Sequence, residues 1–287
     1  MEREMIVGID GSDPSLQALD WAVDEAVLRN TDLRIVHASR WERYEALQPS
    51  SGLTRGSLRQ HSEHLVAQAL ERARKRAPQA RISSHIAEKD PSSALVEASR
   101  EAGVIVVGSR GRGTFSGLLL GSVSLPVAAH AECPVVVVRG SDKNVHGGFG
   151  RIALGVGAPE QAPTAADFAF HEAELRRAEV LALRAWRCPA HELPDYPTDD
   201  SQAHVVRAEN ELAVALHDPR EAHAGVRAHA EPHEGRARDV LVEASALSDL
   251  LVVGARRRHS SVGLQLGPVG HAVLHHAACP VAVVPLD

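Results

Sequence analysis

The chain has 287 residues, 44% of them hydrophobic, enough to bury one large core or two ordinary ones. Its formal net charge of -6 argues against a general binder of nucleic acid or anionic membrane, which would carry a basic balance or stripe. Cys133, Cys188 and Cys279 make an odd count without metal-type spacing, which predicts unpaired thiols in a reducing compartment.

Met1 leads through charged residues into a short strand-like run, without the basic and apolar regions of a secretory leader, so a cytoplasmic chain is expected. Strands are predicted near Met5–Ile9, Leu33–Ala38, Arg81–Ala87, Val104–Val107 and Val135–Val138, where short β-branched runs are bounded by Gly, Pro or Asp. Helical periodicity between them predicts helices near Pro14–Arg29, Leu58–Ala77, Pro91–Ala102 and Ser122–His130. A mobile loop is expected over Trp41–Gly56, which has no periodicity. The most apolar longer stretch, Gly117–Ala129, is broken by Ser122, Ser124 and Pro126 and is too short to span a bilayer. Gly140–Gly150 mixes glycines with Ser, Asp, Lys and Asn, a flexible composition that predicts a linker over 141–150 between domains at 1–140 and 151–287. Beyond it the strand and helix order repeats, with a second expected loop over Pro189–Asp200.

The repetition is a duplication. Ile6–Ala38 aligns with Ala153–Ala185 without a gap at an offset of 147, pairing Asp20 with Asp167, Trp21 with Phe168, Glu25 with Glu172 and Arg29 with Arg176 on a helical face. At an offset of 146, Leu95-Val96-Glu97-Ala98-Ser99 pairs with Leu241-Val242-Glu243-Ala244-Ser245, and Cys133-Pro134-Val135 with Cys279-Pro280-Val281. Strands alternating with helices imply an α/β fold: two tandem, doubly wound parallel sheets of five strands each, with ligands beyond the carboxyl ends of the strands. The short apolar terminal strands Val135–Val138 and Val281–Val284 are expected to pair antiparallel, making the halves an internal pseudo-dimer and leaving a homodimer open.

The chemistry-bearing motif follows the fourth strand: Gly108-Ser109-Arg110-Gly111-Arg112-Gly113, then Gly121-Ser122-Val123-Ser124 before a helix. Glycines there are able to take positive φ and to let backbone N–H groups approach a polyphosphate. A helix starting at Ser122 adds free N–H groups and positive dipole character, and the Ser122 and Ser124 hydroxyls are further donors. Neither a Walker A sequence nor a dinucleotide G-x-G-x-x-G fingerprint is present.

Gly108, two residues, Gly111, nine residues, then Gly121-Ser122 resembles the ATP signature of the universal stress protein family, and the whole chain resembles a tandem member. The resemblance implies domains of the adenine nucleotide α-hydrolase type that bind ATP, often with a divalent metal (Mg2+ or Mn2+), and associate through the last strand. It implies that Asp10 meets the adenine end and that Ala38 lines the base pocket. Gly108, Ser109, Arg110, Gly111, Gly121, Ser122, Val123 and Ser124 are then expected around the ribose and phosphates.

The second half departs from the motif: Gly157 stands for Asp10, Arg257 for Gly111, His259 for Gly113, and Gly267-Pro268 for Gly121-Ser122. Proline fits a first helical turn but lacks the N–H and the hydroxyl. The half through His146 carries 18 basic and 18 acidic residues, leaving 13 and 19 for the rest, so an anionic ligand suits the first half. Arg256-Arg257-Arg258-His259 reads as a solvated loop, with an anion or partner site as the alternative. His223, His229 and His233, and the trio His271, His275 and His276, raise the question of metal. Although His271 and His275 are four apart, no H-E-x-x-H pattern accompanies them, and no metal site is assigned. No nucleophile elbow or acid–base pair demands an enzyme. The sequence is thus read as a cytoplasmic, ATP-binding regulatory protein of stress or dormancy with an unknown protein partner and no membrane association. The alternatives are a slow ATP hydrolase or nucleotidyl-transfer enzyme on the same site, or a scaffold without nucleotide.

Overall fold

The computed structural model describes residues 3–39, 55–111, 120–157, 162–188, 201–256 and 266–286. The chain divides into two units, residues 1–138 and 139–287. The first unit runs β1 (Met5–Gly8), α1 (Asp13–Leu28), β2 (Leu33–Ala38), α2 (Arg55–Arg76), β3 (Ile82–Ala87), α3 (Pro91–Ala98), β4 (Val104–Gly108), α4 (Ser124–His130) and β5 (Val135–Val138). Its strands lie in the order β3-β2-β1-β4-β5, every pair parallel. The second unit runs α5 (Asp142–Val145), β6 (Arg151–Gly155), α6 (Ala162–Arg176), β7 (Glu179–Trp186), α7 (Ser201–Ala222), β8 (Ala228–Glu234), α8 (Ala237–Ser245), β9 (Leu250–Arg256), α9 (Pro268–His276) and β10 (Val281–Leu286). Its order, β8-β7-β6-β9-β10, is the same topology, again parallel throughout.

Parallel strands covered on both faces need uninterrupted apolar runs, and β4 is buried from Val104 to Gly108 as β9 is from Leu250 to Val253. Helix starts are specified locally. Ser12 caps α1 by accepting the Ser15 amide, and Asp90 caps α3 by accepting the Ser93 amide, each followed by a proline in the first turn. The succession of helices and strands along the chain follows from these local signals.

The repeated residues hold equivalent joints. Glu25 is 1% exposed and pairs with Arg29 at 2.6 Å, while Glu172 pairs with Arg176 at the matching place in α6. Ser99 donates its hydroxyl to the Val96 carbonyl at 2.6 Å and accepts the Glu132 amide at 2.8 Å. Ser245 does the same with Val242 and Ala278, so each buried serine ties a helix to the turn before the last strand of its unit. Gly8 and Gly155 leave room for Leu95 and Leu241, whose Cδ1 atoms would lie 2.8 Å from a Cβ at either glycine.

The segment 141–150, expected as a linker, carries local structure and long-range hydrogen bonds: Ser141 caps α5, and buried Asn144 donates to the carbonyls of Ser245, Ala246 and Ser248. Asp249 then accepts the amides of Phe149, Gly150 and Arg151 at 2.9, 2.7 and 3.2 Å. Composition suggested flexibility because the partners of these polar groups lie about a hundred residues away. Of the expected loops, 40–54 and 189–200 lie outside the described residues, as do 257–265. The three cysteines are buried and, among the described residues, form no disulfide. Among the described residues no helix is long and apolar enough to cross a membrane.

Candidate functional site

In the first unit the strand order changes direction between β1 and β4, so the crossovers leave a crevice beyond the carboxyl ends of those two strands. Asp10 follows β1 there. Its Oδ1 accepts the Ser12 amide at 3.0 Å and the Ser12 hydroxyl at 2.6 Å, and its own amide donates to Ser15 Oγ at 3.3 Å. Behind it, buried His37 of β2 places Nδ1 2.9 Å from the Ile9 carbonyl. A carbonyl only accepts, so that nitrogen carries the proton, and the contact joins the ends of β1 and β2 under Asp10.

The glycine segments face Asp10 across the crevice. The Ser109 amide donates to the Val138 carbonyl at 3.1 Å, continuing the β4–β5 ladder, and the Ser109 carbonyl accepts the Gly121 amide at 2.8 Å, fastening one glycine segment to the other. The glycines are needed for space, not for positive φ, which none of Gly108, Gly111 and Gly121 adopts. A Cβ at Gly108 would lie 2.5 Å from the Pro14 carbonyl oxygen, and one at Gly111 would lie 2.4 Å from Asp10 Oδ2. Gly121 is less constrained, its nearest neighbour being Arg110 Cα at 3.4 Å.

The expected start of the following helix is also corrected. The helix α4 begins at Ser124, with Val123 at its cap in αR geometry and no side-chain cap bond, so Ser122 is an exposed turn residue. Ser124 is buried and donates its hydroxyl to the Gly108 carbonyl at 2.6 Å, which removes it as a donor to a ligand. That bond explains a serine in this position: it holds α4 against the end of β4.

Between these parts lies a cavity of about 290 Å3, at the small end of ligand pockets, which run from roughly 300 to 1,000 Å3. Nine of the ten residues singled out in the sequence line it: Asp10, Ala38, Gly108, Arg110, Gly111, Gly121, Ser122, Val123 and Ser124. Ser109 does not, its backbone groups serving the ladder and the loop junction. The sequence reading missed the apolar walls, Ile9, Val36, Leu95, Val107 and Leu120, together with Ser15 and Pro91. Most of these sit in or beside the strands and helices of the alternating fold, and only strand adjacency turns them toward one space. At the mouth, among the described residues, the N–H groups of Arg110, Gly111, Ser122 and Val123 have no backbone partner.

In the second unit Gly157 occupies the place of Asp10 and offers no carboxylate. Pro268 stands in the first turn of α9, where it lacks an N–H, and Gly267 at the cap makes no side-chain bond. Arg184, at the place of His37, donates to the Val156 carbonyl at 3.2 Å and pairs with Glu211 at 2.5 Å. The substituted positions Arg257 and His259, like Gly113 in the first half, lie outside the described residues.

Known proteins are similar to this chain over part or all of its length. A universal stress protein in complex with cAMP is 30% identical to this chain, covering 48% of it and 98% of its own length with a TM-score of 0.38. A universal stress protein from Archaeoglobus fulgidus shares the fold over 98% of both chains, with a TM-score of 0.71 at 18% identity. The universal stress protein Rv2623 of Mycobacterium tuberculosis is 35% identical over 289 residues, spanning 97% of this chain and 95% of its own. The model of the universal stress protein family matches twice, over residues 1–139 and 148–285. The chain belongs to the universal stress protein family and carries two of its domains in tandem.

Proposed function

We propose that the protein is a regulatory universal stress protein that binds ATP in its first domain only. The observation carrying this reading is the cavity beyond β1 and β4. Its interior is apolar, walled by Ile9, Val36, Leu95 and Val107, while its mouth holds backbone N–H groups at Arg110, Gly111, Ser122 and Val123. A planar base suits the first environment, and phosphate oxygens suit the second. Asp10, steadied by Ser12, is on this reading the carboxylate that accepts hydrogen bonds from the exocyclic amine of adenine. Asp10 is also the one carboxylate among the described lining residues, so Mg2+ or Mn2+ accompanying the nucleotide would be held chiefly by phosphates.

A ligand engaging both Arg110-Gly111 and Ser122-Val123 ties together the two ends of the segment between them. It thereby biases a surface read by a protein partner, to the extent that it binds one arrangement better than another. The test is the nucleotide content of protein purified from cells, followed by calorimetric titration of nucleotide-free protein. One ATP per chain is expected, weakened by Asp10→Ala in the first domain and unaffected by substitution at Gly157 or Pro268. Two comparable sites, or none, would refute the assignment. Release of labelled phosphate would favour a slow hydrolase on the same site.

A further inference from the structure

Two hydrogen bonds fix which groups of β3 face outward. The Leu33 amide donates to the Arg81 carbonyl at 3.0 Å and the Ser39 amide to the Ala87 carbonyl at 3.1 Å, so the odd-numbered residues turn their backbone groups toward β2. Alternation then points the N–H and C=O groups of Ile82, Ser84 and Ile86 away from the sheet, where among the described residues they have no backbone partner. The matching edge of the second unit is blunted. By the same alternation β8 turns Ala228, Ala230 and Pro232 outward, and the proline brings no N–H to that edge. From Ile82 to Ala87, β3 has no proline and no Asp, Glu, Lys or Arg.

The helix α2 packs over β3 and β2 and continues the same surface. Arg72 and Arg76 reach Asp20 and Asp24 of α1, each at 2.6 Å, which fixes the inner flank of α2. Helical spacing puts Glu63, Ala67, Leu70 and Arg74 on the opposite flank, at the sheet edge, where the last three line a shallow groove. Arg74 is exposed and, among the described residues, forms no ion pair.

We propose that this edge is the interface of a two-fold dimer, with β3 and α2 of one chain against β3 and α2 of a second copy. Antiparallel pairing centred on Ser84 brings outward groups only to outward groups: Ser84 meets the partner's Ser84, and Ile82 meets the partner's Ile86. In α2, Glu63 with the partner's Arg74 and Ala67 with the partner's Leu70 share one midpoint, between Gln68 and Ala69. Charge and apolar size are thus self-complementary about one axis. The two midpoints also stand at one height, because the tight turn at Ala77–Ala80 starts Arg76 and Arg81 level. At roughly 1.5 Å per residue the α2 midpoint lies about 11 Å above Arg76, and at roughly 3.3 Å per residue Ser84 lies about 10 Å above Arg81. Pairing also sets the two α2 helices about two strand spacings apart, roughly 9.6 Å, within the roughly 8–10 Å of packed helices. This interface is separate from the last strand.

Sedimentation of the tag-free full-length protein across the micromolar range tests this, with a monomer–dimer equilibrium expected. Arg74→Glu turns two symmetry-related attractions into repulsions and should raise the dimer Kd about tenfold. Adding Glu63→Arg restores opposite charges across the axis and should recover most of that loss. Ser84→Pro removes an outward amide and none of the β2 ladder, and should abolish the dimer. Circular dichroism melts identify a proline variant that fails to fold, and the charge variants then decide. A monomer at every concentration, a dimer that withstands Arg74→Glu, or a loss that Glu63→Arg does not recover would each overturn the proposal.

Discussion

Substituting Gly111 by alanine separates the two roles that the glycine segments play. The new Cβ would stand 2.4 Å from Asp10 Oδ2, so the carboxylate must retreat by roughly 1 Å to reach ordinary contact. A free side chain would swing away at little cost. Asp10 is tethered, because Oδ1 accepts the Ser12 amide at 3.0 Å and the Ser12 hydroxyl at 2.6 Å, and moving the carboxylate strains both. Hydrogen bonds to a charged group contribute about 1.5–3 kcal/mol, with the lower end fitting this partly exposed site. Gly111→Ala is therefore expected to weaken ATP about tenfold, with a stability loss near 1 kcal/mol. Gly121→Ala, whose Cβ would meet nothing closer than 3.4 Å, should change neither. Calorimetric titration and urea denaturation measure the two effects, and a Ser12→Ala background supplies a double-mutant cycle in which the Gly111 effect shrinks. If Gly111→Ala matches wild type in both assays, or if Ser12→Ala leaves its effect intact, the tethered-carboxylate argument is wrong.

At Gly108 the obstruction is backbone, with Pro14 O at 2.5 Å and Ser15 N at 3.0 Å from the added carbon, so Gly108→Ala should cost roughly 1–3 kcal/mol or more of stability by urea denaturation. Ser99→Ala and Ser245→Ala each leave a backbone amide, of Glu132 or Ala278, without its hydroxyl acceptor. Each should destabilise by about 1–3 kcal/mol, and the effects should add because the sites lie in different units. Asp10→Ala should weaken ATP about tenfold to a hundredfold while leaving inorganic triphosphate nearly unchanged, because the carboxylate serves the base. Equal losses for both ligands in parallel titrations would place Asp10 at the phosphates.

The residue pattern by itself determined the class of fold, the duplication and most of the crevice. Strand and helix signals are local: β-branched runs, Ser12 and Asp90 before prolines, and the matched Glu25–Arg29 and Glu172–Arg176 pairs can all be read from short windows. Spaced glycines next to a strand end also mark a close approach, whatever is approaching. Only the tertiary structure decided what approaches. Gly108 makes room for the α1 backbone and Gly111 for Asp10, a hundred residues distant in the chain, while the Ser124 hydroxyl turns inward to Gly108. The same limit applies to Gly140–Gly150, whose composition gives no sign of the hydrogen bonds that Asn144 and Asp249 make with partners about a hundred residues away. A local pattern reports the conformations a segment can adopt; which of its polar groups are satisfied, and which face a ligand, depends on neighbours that only folding brings within 3 Å.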